Sequence, residues 1–547
     1  MRVLSFSRFA TWLRTTHTAN PRGPRIAFLA VLTAIVLLMS VKYAAKITKP
    51  GDSGQQSRSA FLRWRQMVNG VFAGENIYVG VNEYPNPPIM AVLLRPFTAL
   101  PPTVGALTWF YAKVLLAVLS AVWAFRLCRG KPNPLTPFPK KEGGTEPNTA
   151  DTKQSVAVLS PSPFRGGVGE GLQPQPPPPS PLPKGKGELA REVSEIGTTR
   201  RERSFSPFPL GGGGSAQNAG GFALDFARAV AIVLCLPPLL GDLSHNNVNI
   251  FILFLVMGCL EAFRRRLDTL AGLTLALAIA CKVTPALFVA YFAWKRCWRV
   301  LGATLVGLVL WLAVVPGFTF GWDHNRELMT GWYALMVERP LLKGEITTEH
   351  PNQAVTGFVY RLFTYSPSYI VYPNNIPTPA EYHNLTDIGR PAAWVIVKAL
   401  TAGFALAVVF LCRWPVRGPN DARQGWRFAT ECGLICLGML LFSERTWKHH
   451  AVVLLLPLAA LTYAVAVAEL PRRVRGFLIG VLVASFVLMA GPGMLAGRAA
   501  DLAMVYGTHT IAFVLQTLAL GTLLACRSGR VNDVCGSRSA ARETIPI

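Results

Sequence analysis

The stretch that decides the fold is residues 84–97, which read YPNPPIMAVLLRPF. It lies between the first two long apolar runs of the chain. Its three prolines within four residues exclude a regular helix at that point, because each ring fixes φ and removes a backbone donor. Irregular backbone at membrane depth is tolerated where it is buried in protein or lines a wet cavity. The stretch is therefore compatible with a rigid turn and with a ligand-binding loop.

Composition places the chain among membrane proteins. Of its 547 residues, 51% are hydrophobic and 15% are charged. Apolar runs of about 17–25 residues recur, and each is long enough to cross a hydrocarbon core. The net charge of +25 indicates a positive-inside bias and attraction to anionic lipid. Because no soluble basic domain with a nucleic-acid motif is visible, a nucleic-acid partner is not expected. These features predict an all-α polytopic membrane protein.

The basic loops give the predicted topology. Arginine and lysine cluster after every second apolar run, so those loops are predicted to face inward. The chain then forms about 12 membrane segments of a plasma (inner) membrane protein, with an outer-face loop domain and an uncleaved first anchor. The predicted regions are a basic N-terminus (1–25), first segments (26–130) with an outer loop (43–103), an insertion (131–221), segments with a broken hairpin (222–316), a large extracytoplasmic loop (317–389), C-terminal segments (390–526) and an inner tail (527–547).

Two of these regions have a distinctive composition. Residues 59–72 place Phe61, Trp64, Val68 and Phe72 at helical spacing, which predicts an amphipathic helix lying in the membrane interface. Residues 131–221 are rich in proline, glycine and serine and repeat internally. Such a segment cannot bury enough apolar surface to offset its ordering entropy, so a disordered inner insertion without an assigned function is predicted.

A break in an apolar run supplies a candidate cation. Residues 268–294 are apolar but are interrupted by Lys282-Val283-Thr284-Pro285, and both flanks are basic. The positive-inside rule therefore favours two short segments that meet at a Lys-Pro corner. A broken helix with a cation at its break is a common way to build a binding site in a membrane protein. A snorkelling lysine is the alternative interpretation of Lys282.

Four polar clusters fall on the predicted outer side, together with seven of the eight histidines. Asn, Gln and His can bind sugar hydroxyls, aromatic rings can stack on pyranose faces, and Lys or Arg can hold a phosphate. Helix caps and interfacial residues are the ordinary alternative. A metal site is not expected, because His449 and His450 are adjacent and the i, i+4 zinc arrangement is absent. The candidate substrate-binding residues are Tyr84, Pro87, Asn246, Asn249, Lys282, His350, Asn352, Gln353, His449 and His450.

The motifs that carry these residues resemble those of glycosyltransferase family 87, whose members are membrane GT-C enzymes. The stretch at Tyr84 is similar to the family's YPP…PF…LP signature, and Lys282-Val283-Thr284-Pro285 matches its KxTP. Residues 246–249 stand where the family has GQxN, 350–353 correspond to its NQS segment, and 443–457 correspond to its S…W…HH…LP pattern. The motifs occur in the family's order and cover nearly the whole chain outside the insertion.

The resemblance implies a GT-C-like fold with an extracytoplasmic active site. It implies an enzyme that transfers a hexose, most plausibly mannose, from a polyprenyl-phosphate donor to a glycan or glycolipid acceptor by an inverting displacement. Lys282 would hold the phosphate, with Arg95 or His449 assisting, and Asn249, Asn352 and Gln353 would contact sugars. No cofactor is expected, because the lipid-linked sugar is itself a substrate.

The chain departs from the family pattern at the catalytic base. The family's Asp lies in the first outer loop in a DFxxY context, whereas the corresponding stretch here, 58–61, contains no carboxylate. Asp52 is the one Asp in that loop and is the candidate base, with Glu75 and Glu83 as alternatives. The family usually has Gln where Asn246 or Asn247 stands, which is a smaller change.

Two other functional classes remain open from the sequence. A carrier or flippase for a lipid-linked sugar would be expected to show internal repeats between its halves, and none is found. A polysaccharide polymerase or ligase that uses lipid diphosphate donors would favour more outer arginines than the large loop contains.

Overall fold

A computed structural model describes residues 22–48, 59–79, 84–129, 216–342, 344–371, 373, 377–413, 423–495 and 497–526, with side chains omitted at 216–220 and 340–342. The chain divides into two units, Met1–Pro132 with Gly211–Ile547 and, separately, Asn133–Leu210. The second unit lies outside the described residues. So do Asp52, Glu83, most of the basic N-terminus, most of the predicted insertion, and the predicted tail 527–547.

The larger unit is predominantly helical. Its α-helices are α1 (Arg22–Thr48), α2 (Ala60–Phe72), α3 (Pro88–Thr98), α4 (Pro102–Cys128), α5 (Ala216–His245), α6 (Asn249–Arg264), α7 (Asp268–Cys281), α8 (Leu287–Trp294), α9 (Trp298–Val309), α10 (Val315–Phe320), α11 (Trp322–Tyr333), α12 (Val355–Phe363), α13 (Arg390–Leu411), α14 (Trp426–Leu441), α15 (Leu455–Val467), α16 (Arg472–Ala490), α17 (Arg498–Val505) and α18 (Thr508–Ala525). A helix stands at every position where the sequence predicts a membrane segment.

Eight of the described helical stretches are long and apolar enough to cross a membrane. Several of them join consecutive elements, such as Trp298–Phe320, in which a π-helical turn at Leu310–Val314 connects α9 to α10. Asp268–Cys281 and Thr284–Trp294 are shorter apolar helices on the two sides of the Lys-Pro break. The prediction of a multi-pass helical membrane protein is confirmed, and the number of about 12 segments stays a prediction.

Contacts between helix ends bring together the termini of helices that are far apart in the sequence. At one end, Lys46 at the end of α1 donates to the carbonyl of Ser244 at the end of α5 (2.9 Å). At the other end, the amide of Gly425 before α14 donates to the carbonyl of Leu127 at the end of α4 (2.7 Å). Arg423 pairs there with Asp268 at the start of α7. The first end is the one predicted to face outward, and it carries the polar clusters.

The two proline-containing stretches behave as their chemistry requires. Residues 84–87 are not helical, and α3 begins at Pro88 with Pro87 as its N-cap, where a missing N–H costs nothing. Lys282 is extended (φ −157°, ψ 128°) between the end of α7 and a 3₁₀ turn at Thr284–Ala286 that leads into α8. The predicted corner between two short segments is confirmed.

Helix α2 occupies the predicted positions, but its apolar face is covered by protein. Phe61 and Val68 are fully buried and Trp64 is 6% exposed, packed edge-on against Tyr84 (6.1 Å between ring centroids). The predicted helix is therefore confirmed, its apolar face packs on protein, and its position in the membrane interface stays a prediction. Tyr84, at the start of the proline-rich stretch, supplies part of this cover through its ring contact with Trp64.

The large loop between α10 and α13 contains the one two-stranded sheet of the described residues. Strands Pro367–Val371 and Thr378–Tyr382 pair antiparallel, and α11 and α12 precede them. This hairpin is the exception to an otherwise all-α architecture. It carries His350 against its edge, since the His350 amide donates to the Ser368 carbonyl (2.9 Å).

Candidate functional site

A small cavity of about 20 Å³ opens at the Lys-Pro corner. Its size corresponds to about one water molecule, so a sugar phosphate would require the neighbouring loops to open. Its wall combines the lysine ammonium with hydroxyl, amide and imidazole groups on an apolar floor. The lining residues are Asn249, Ile252, Lys282, Thr284, Met439, Leu440, Ser443, Thr446, His450 and Val453.

Lys282 is held at this wall by one hydrogen bond. Its Nζ donates to Asn249 Oδ1 (2.8 Å), and no other acceptor for this ammonium is found in the described part of the chain. A lysine ammonium carries three N–H donors. Two of them therefore remain for a ligand, and Thr284 from the same corner adds a hydroxyl to the wall.

A buried ion pair lies behind Asn249. Asp242, near the end of α5, is fully buried and forms a 3.1 Å ion pair with Lys113 of α4, which is also fully buried. The other carboxylate oxygen of Asp242 accepts a hydrogen bond from Asn249 Nδ2 (2.9 Å). Asp242 stands with His245, Asn246 and Asn249 in one of the four polar clusters that the sequence places on the outer side. Lys113 was missed, although a lysine in the middle of an apolar span is itself a signal of function.

The two adjacent histidines point in different directions, as the helical geometry predicts. His450 lines the cavity. His449 is 3% exposed and faces α5, where its Nε2 lies 3.2 Å from Asn247 Nδ2 and its ring lies 5.0 Å from that of His245. Of this pair, His450 is the residue placed to contact a ligand beside Lys282.

Tyr84 and Asn246 are buried next to this region rather than in the cavity wall. Asn246 takes a left-handed conformation (φ 52°) in the turn between α5 and α6, and its amide donates to Tyr43 Oη (2.8 Å) and to the Ala106 carbonyl (3.0 Å). Tyr84 Oη and Asn246 Oδ1 have no hydrogen-bond partner among the described residues. Burial raises the pKa of the Tyr84 hydroxyl, which therefore stays protonated.

Asn352 and Gln353 join the large loop to the helix ends. Asn352 Nδ2 donates to the Thr347 and Glu444 carbonyls (2.8 and 3.1 Å), and its Oδ1 accepts from the Thr446 amide (3.0 Å). Gln353 Nε2 donates to the His350 and Met504 carbonyls (both 2.7 Å). Both side chains are fully buried. These bonds indicate a structural role, and contact of either amide with a sugar stays a prediction.

His350 lies apart from the cavity. Its ring packs on Tyr369 of the hairpin (4.5 Å between centroids), and its Nε2 lies 3.5 Å from Asp501. Burial lowers the pKa of His350, so it is a neutral ring at pH 7.

Among the described residues, no group of three or more His, Cys, Asp or Glu side chains is placed to hold a metal ion. Cys432 and Cys436 are buried free thiols on α14. Glu75, one of the two alternative bases, has its carboxylate beside Gly70 of α2.

Comparison with known proteins finds similarity over part of the chain. The sequence model of glycosyltransferase family 87 matches residues 208–444. This confirms the resemblance that the motifs predict. The matched range includes the Asn246–Asn249 turn, the Lys-Pro corner and Asn352-Gln353, and it ends just before His449 and His450.

Two characterised relatives match part of the chain. A polyprenol-phosphate-mannose-dependent alpha-(1-2)-phosphatidylinositol mannoside mannosyltransferase from Mycolicibacterium smegmatis is 28% identical over 242 residues, which cover 44% of this chain and 47% of the relative. The protein of the same name from Mycobacterium tuberculosis is 32% identical over 222 residues, covering 40% and 42%. The chain thus spans about half the length of the relatives it matches. No solved structure matches it significantly.

Proposed function

We propose that the protein is a membrane hexosyltransferase that transfers mannose from a polyprenyl-phosphate donor to a glycan or glycolipid acceptor. The observation that supports this proposal best is Lys282 at a helix break, facing a cavity lined by hydroxyls and an imidazole. Among the described residues its ammonium donates to Asn249 alone, so two of its N–H donors remain for a ligand. The family match and the two mannosyltransferase relatives support the donor class. The cavity would face the extracytoplasmic side of the plasma membrane.

The reaction would be a single inverting displacement. The acceptor hydroxyl oxygen bonds to the anomeric carbon as the bond from that carbon to the phosphate oxygen breaks, and the hydroxyl proton passes to a carboxylate base. The polyprenyl phosphate leaves with one more negative charge than the phosphodiester carried. Lys282, helped by His450, would stabilise that charge in a site largely shielded from water.

The Lys282 assignment is tested with purified protein in liposomes that contain radiolabelled polyprenyl-phosphate mannose and a lipid extract as acceptor. K282M removes the phosphate ligand, so we expect transfer to fall by roughly tenfold to a hundredfold, the value of one charge-assisted hydrogen bond. The control is K398M on α13, since Lys398 packs on Trp394 and does not line the cavity. Equal activity of K282M and wild type would remove Lys282 from the mechanism.

The base is tested in the same assay. D52N should lower kcat by about 10²–10⁴-fold, the usual contribution of a general base, with little change in the donor KM. E75Q is the matched carboxylate control and should stay active. Transfer that survives in D52N but is lost in E75Q would move the base to Glu75. Movement of the labelled lipid across the bilayer without any sugar transfer would replace the enzyme proposal with a carrier.

A further inference from the structure

The buried pair of Lys113 and Asp242 lies two contacts away from the cavity. Lys113 Nζ contacts Asp242 Oδ2 (3.1 Å) and donates to the Asp242 backbone carbonyl (3.0 Å). Both residues are fully buried within apolar helices that are long enough to cross a membrane. Charged residues in such positions are costly and are typically retained for function.

The pair determines how Asn249 is oriented. An ionised carboxylate can only accept hydrogen bonds, so the amide nitrogen of Asn249 must face Asp242. The amide oxygen must then face the opposite way, where it accepts from Lys282, an ammonium that can only donate. A fixed chain of four groups therefore runs from Lys113 through Asp242 and Asn249 to Lys282.

The charges along this chain are unequal. Two lysines share one carboxylate, and Lys113 is in direct contact with it while Lys282 is separated from it by the neutral Asn249. In a medium of low dielectric constant, a carboxylate without its own cation would attract the nearest ammonium strongly. Because Lys113 neutralises Asp242, the charge of Lys282 stays available at the cavity wall.

We propose that Lys113 and Asp242 are positioning residues for Lys282, resting on the proposed role of Lys282 as the ligand of the donor phosphate. Lys113 keeps Asp242 from capturing Lys282, and Asp242 fixes the Asn249 amide that aims the ammonium. Asp242 itself is not the catalytic base, since it is fully buried, both its oxygens are engaged and it is absent from the cavity wall.

The charges predict opposite effects on the donor KM for the single variant K113M and for the double variant K113M/D242N. K113M leaves Asp242 without its cation, so Lys282 turns toward the carboxylate, and the donor KM rises by roughly tenfold to a hundredfold. The double variant K113M/D242N removes both charges together. An amide oxygen at position 242 can still accept from Asn249, so most of the donor affinity should return, while the acceptor KM stays close to wild type in both variants.

A second buried pair provides the matched control. Lys295 and Glu431 form a 2.7 Å ion pair that is almost as well buried, at the end of α8 away from the Lys-Pro corner. K295M and K295M/E431Q test how much of any effect comes from breaking a buried ion pair in general. Thermal unfolding of each purified variant shows whether it is folded before its kinetics are compared.

The experiment measures the donor and acceptor KM values in liposomes for these variants and for K113M in a K282M background. Support requires a raised donor KM in K113M, recovery in K113M/D242N, and no further rise when K113M is added to K282M. The proposal is overturned if the double variant is as impaired as K113M, or if K295M raises the donor KM equally. If K113M does not fold, a donor KM in K113M/D242N near that of K282M overturns it. An active K282M with wild-type KM contradicts the proposed function separately.

Discussion

At the scale of single residues, Arg361 shows how a buried charge can be satisfied without a carboxylate. Its Nη1 donates to the carbonyls of Thr348, Glu349 and Asn352 (3.0–3.1 Å), and its Nε donates to the Val505 carbonyl (2.8 Å). The side chain is completely buried, with 0% of its surface exposed. Burial lowers the pKa of Arg361 to about 10, so it remains cationic at pH 7. It ties the large loop to the end of α17.

We expect R361M to destabilise the protein by about 2–4 kcal/mol, because several buried carbonyls lose their donor at once. The change in the free energy of unfolding is measured in detergent, with unfolding induced by heat or denaturant. R498M is the matched control: Arg498 is 71% exposed in its pair with Glu381, and exposed ion pairs contribute little. A loss in R361M no larger than that in R498M would contradict this structural role.

Only some of the side chains of the candidate site could be identified from the sequence. Lys282 was found from its position at a helix break, which is a local pattern. Lys113 was missed because its partner Asp242 is 129 residues away in the chain. Asn352 and Gln353 were found by their motif, yet what they contact depends on the ends of three other segments.

At the scale of elements, α7 and α9 pack closely against each other through glycines. A Cβ at Gly272 would collide with the Val300 carbonyl oxygen and would lie 2.6 Å from Ala303 Cβ. Gly307 approaches α7 in the same way, with its added Cβ 2.6 Å from Ala276 Cβ. Small residues of this kind allow helix backbones to approach closely in a membrane. Because Lys282 directly follows the end of α7, this packing also sets the position of the cation.

G272A should therefore separate the two helices and destabilise the protein by about 1–3 kcal/mol, the usual cost of overpacking. Donor binding should weaken as well, since the Lys-Pro corner moves with α7. The control is G302A on α9, where an added Cβ meets nothing within 4 Å. Thermal unfolding and the donor KM measure both effects, and identical results for the two alanine variants would contradict the close-packing interpretation.

At the scale of the whole molecule, the chain separates into a membrane unit and the segment Asn133–Leu210. The described residues of the candidate site all belong to the membrane unit. The composition of the inserted segment predicts that it contributes no packed core. We therefore expect the site to be independent of it.

A variant in which residues 133–210 are replaced by a short Gly/Ser linker should keep the thermal stability of the membrane unit and its transfer activity. The physical reason is that closing a shorter loop costs less entropy while the helix contacts are unchanged. Activity in liposomes and unfolding in detergent check the expectation. Loss of transfer in a variant that remains folded would show that the segment has a function.

The sequence by itself determined the features that depend on neighbours along the chain. The lengths of the apolar runs predicted the helices, the prolines placed the start of α3 and the break before α8, and the motifs predicted the resemblance to glycosyltransferase family 87. The tertiary structure decided what depends on distant partners. It placed Lys113 against Asp242 and surrounded Arg361 with backbone carbonyls. It also oriented His450 rather than His449 toward the cavity and packed the apolar face of α2 against protein. Periodicity and chain breaks are local properties, whereas a side chain's partner is fixed only when helices far apart in sequence pack together.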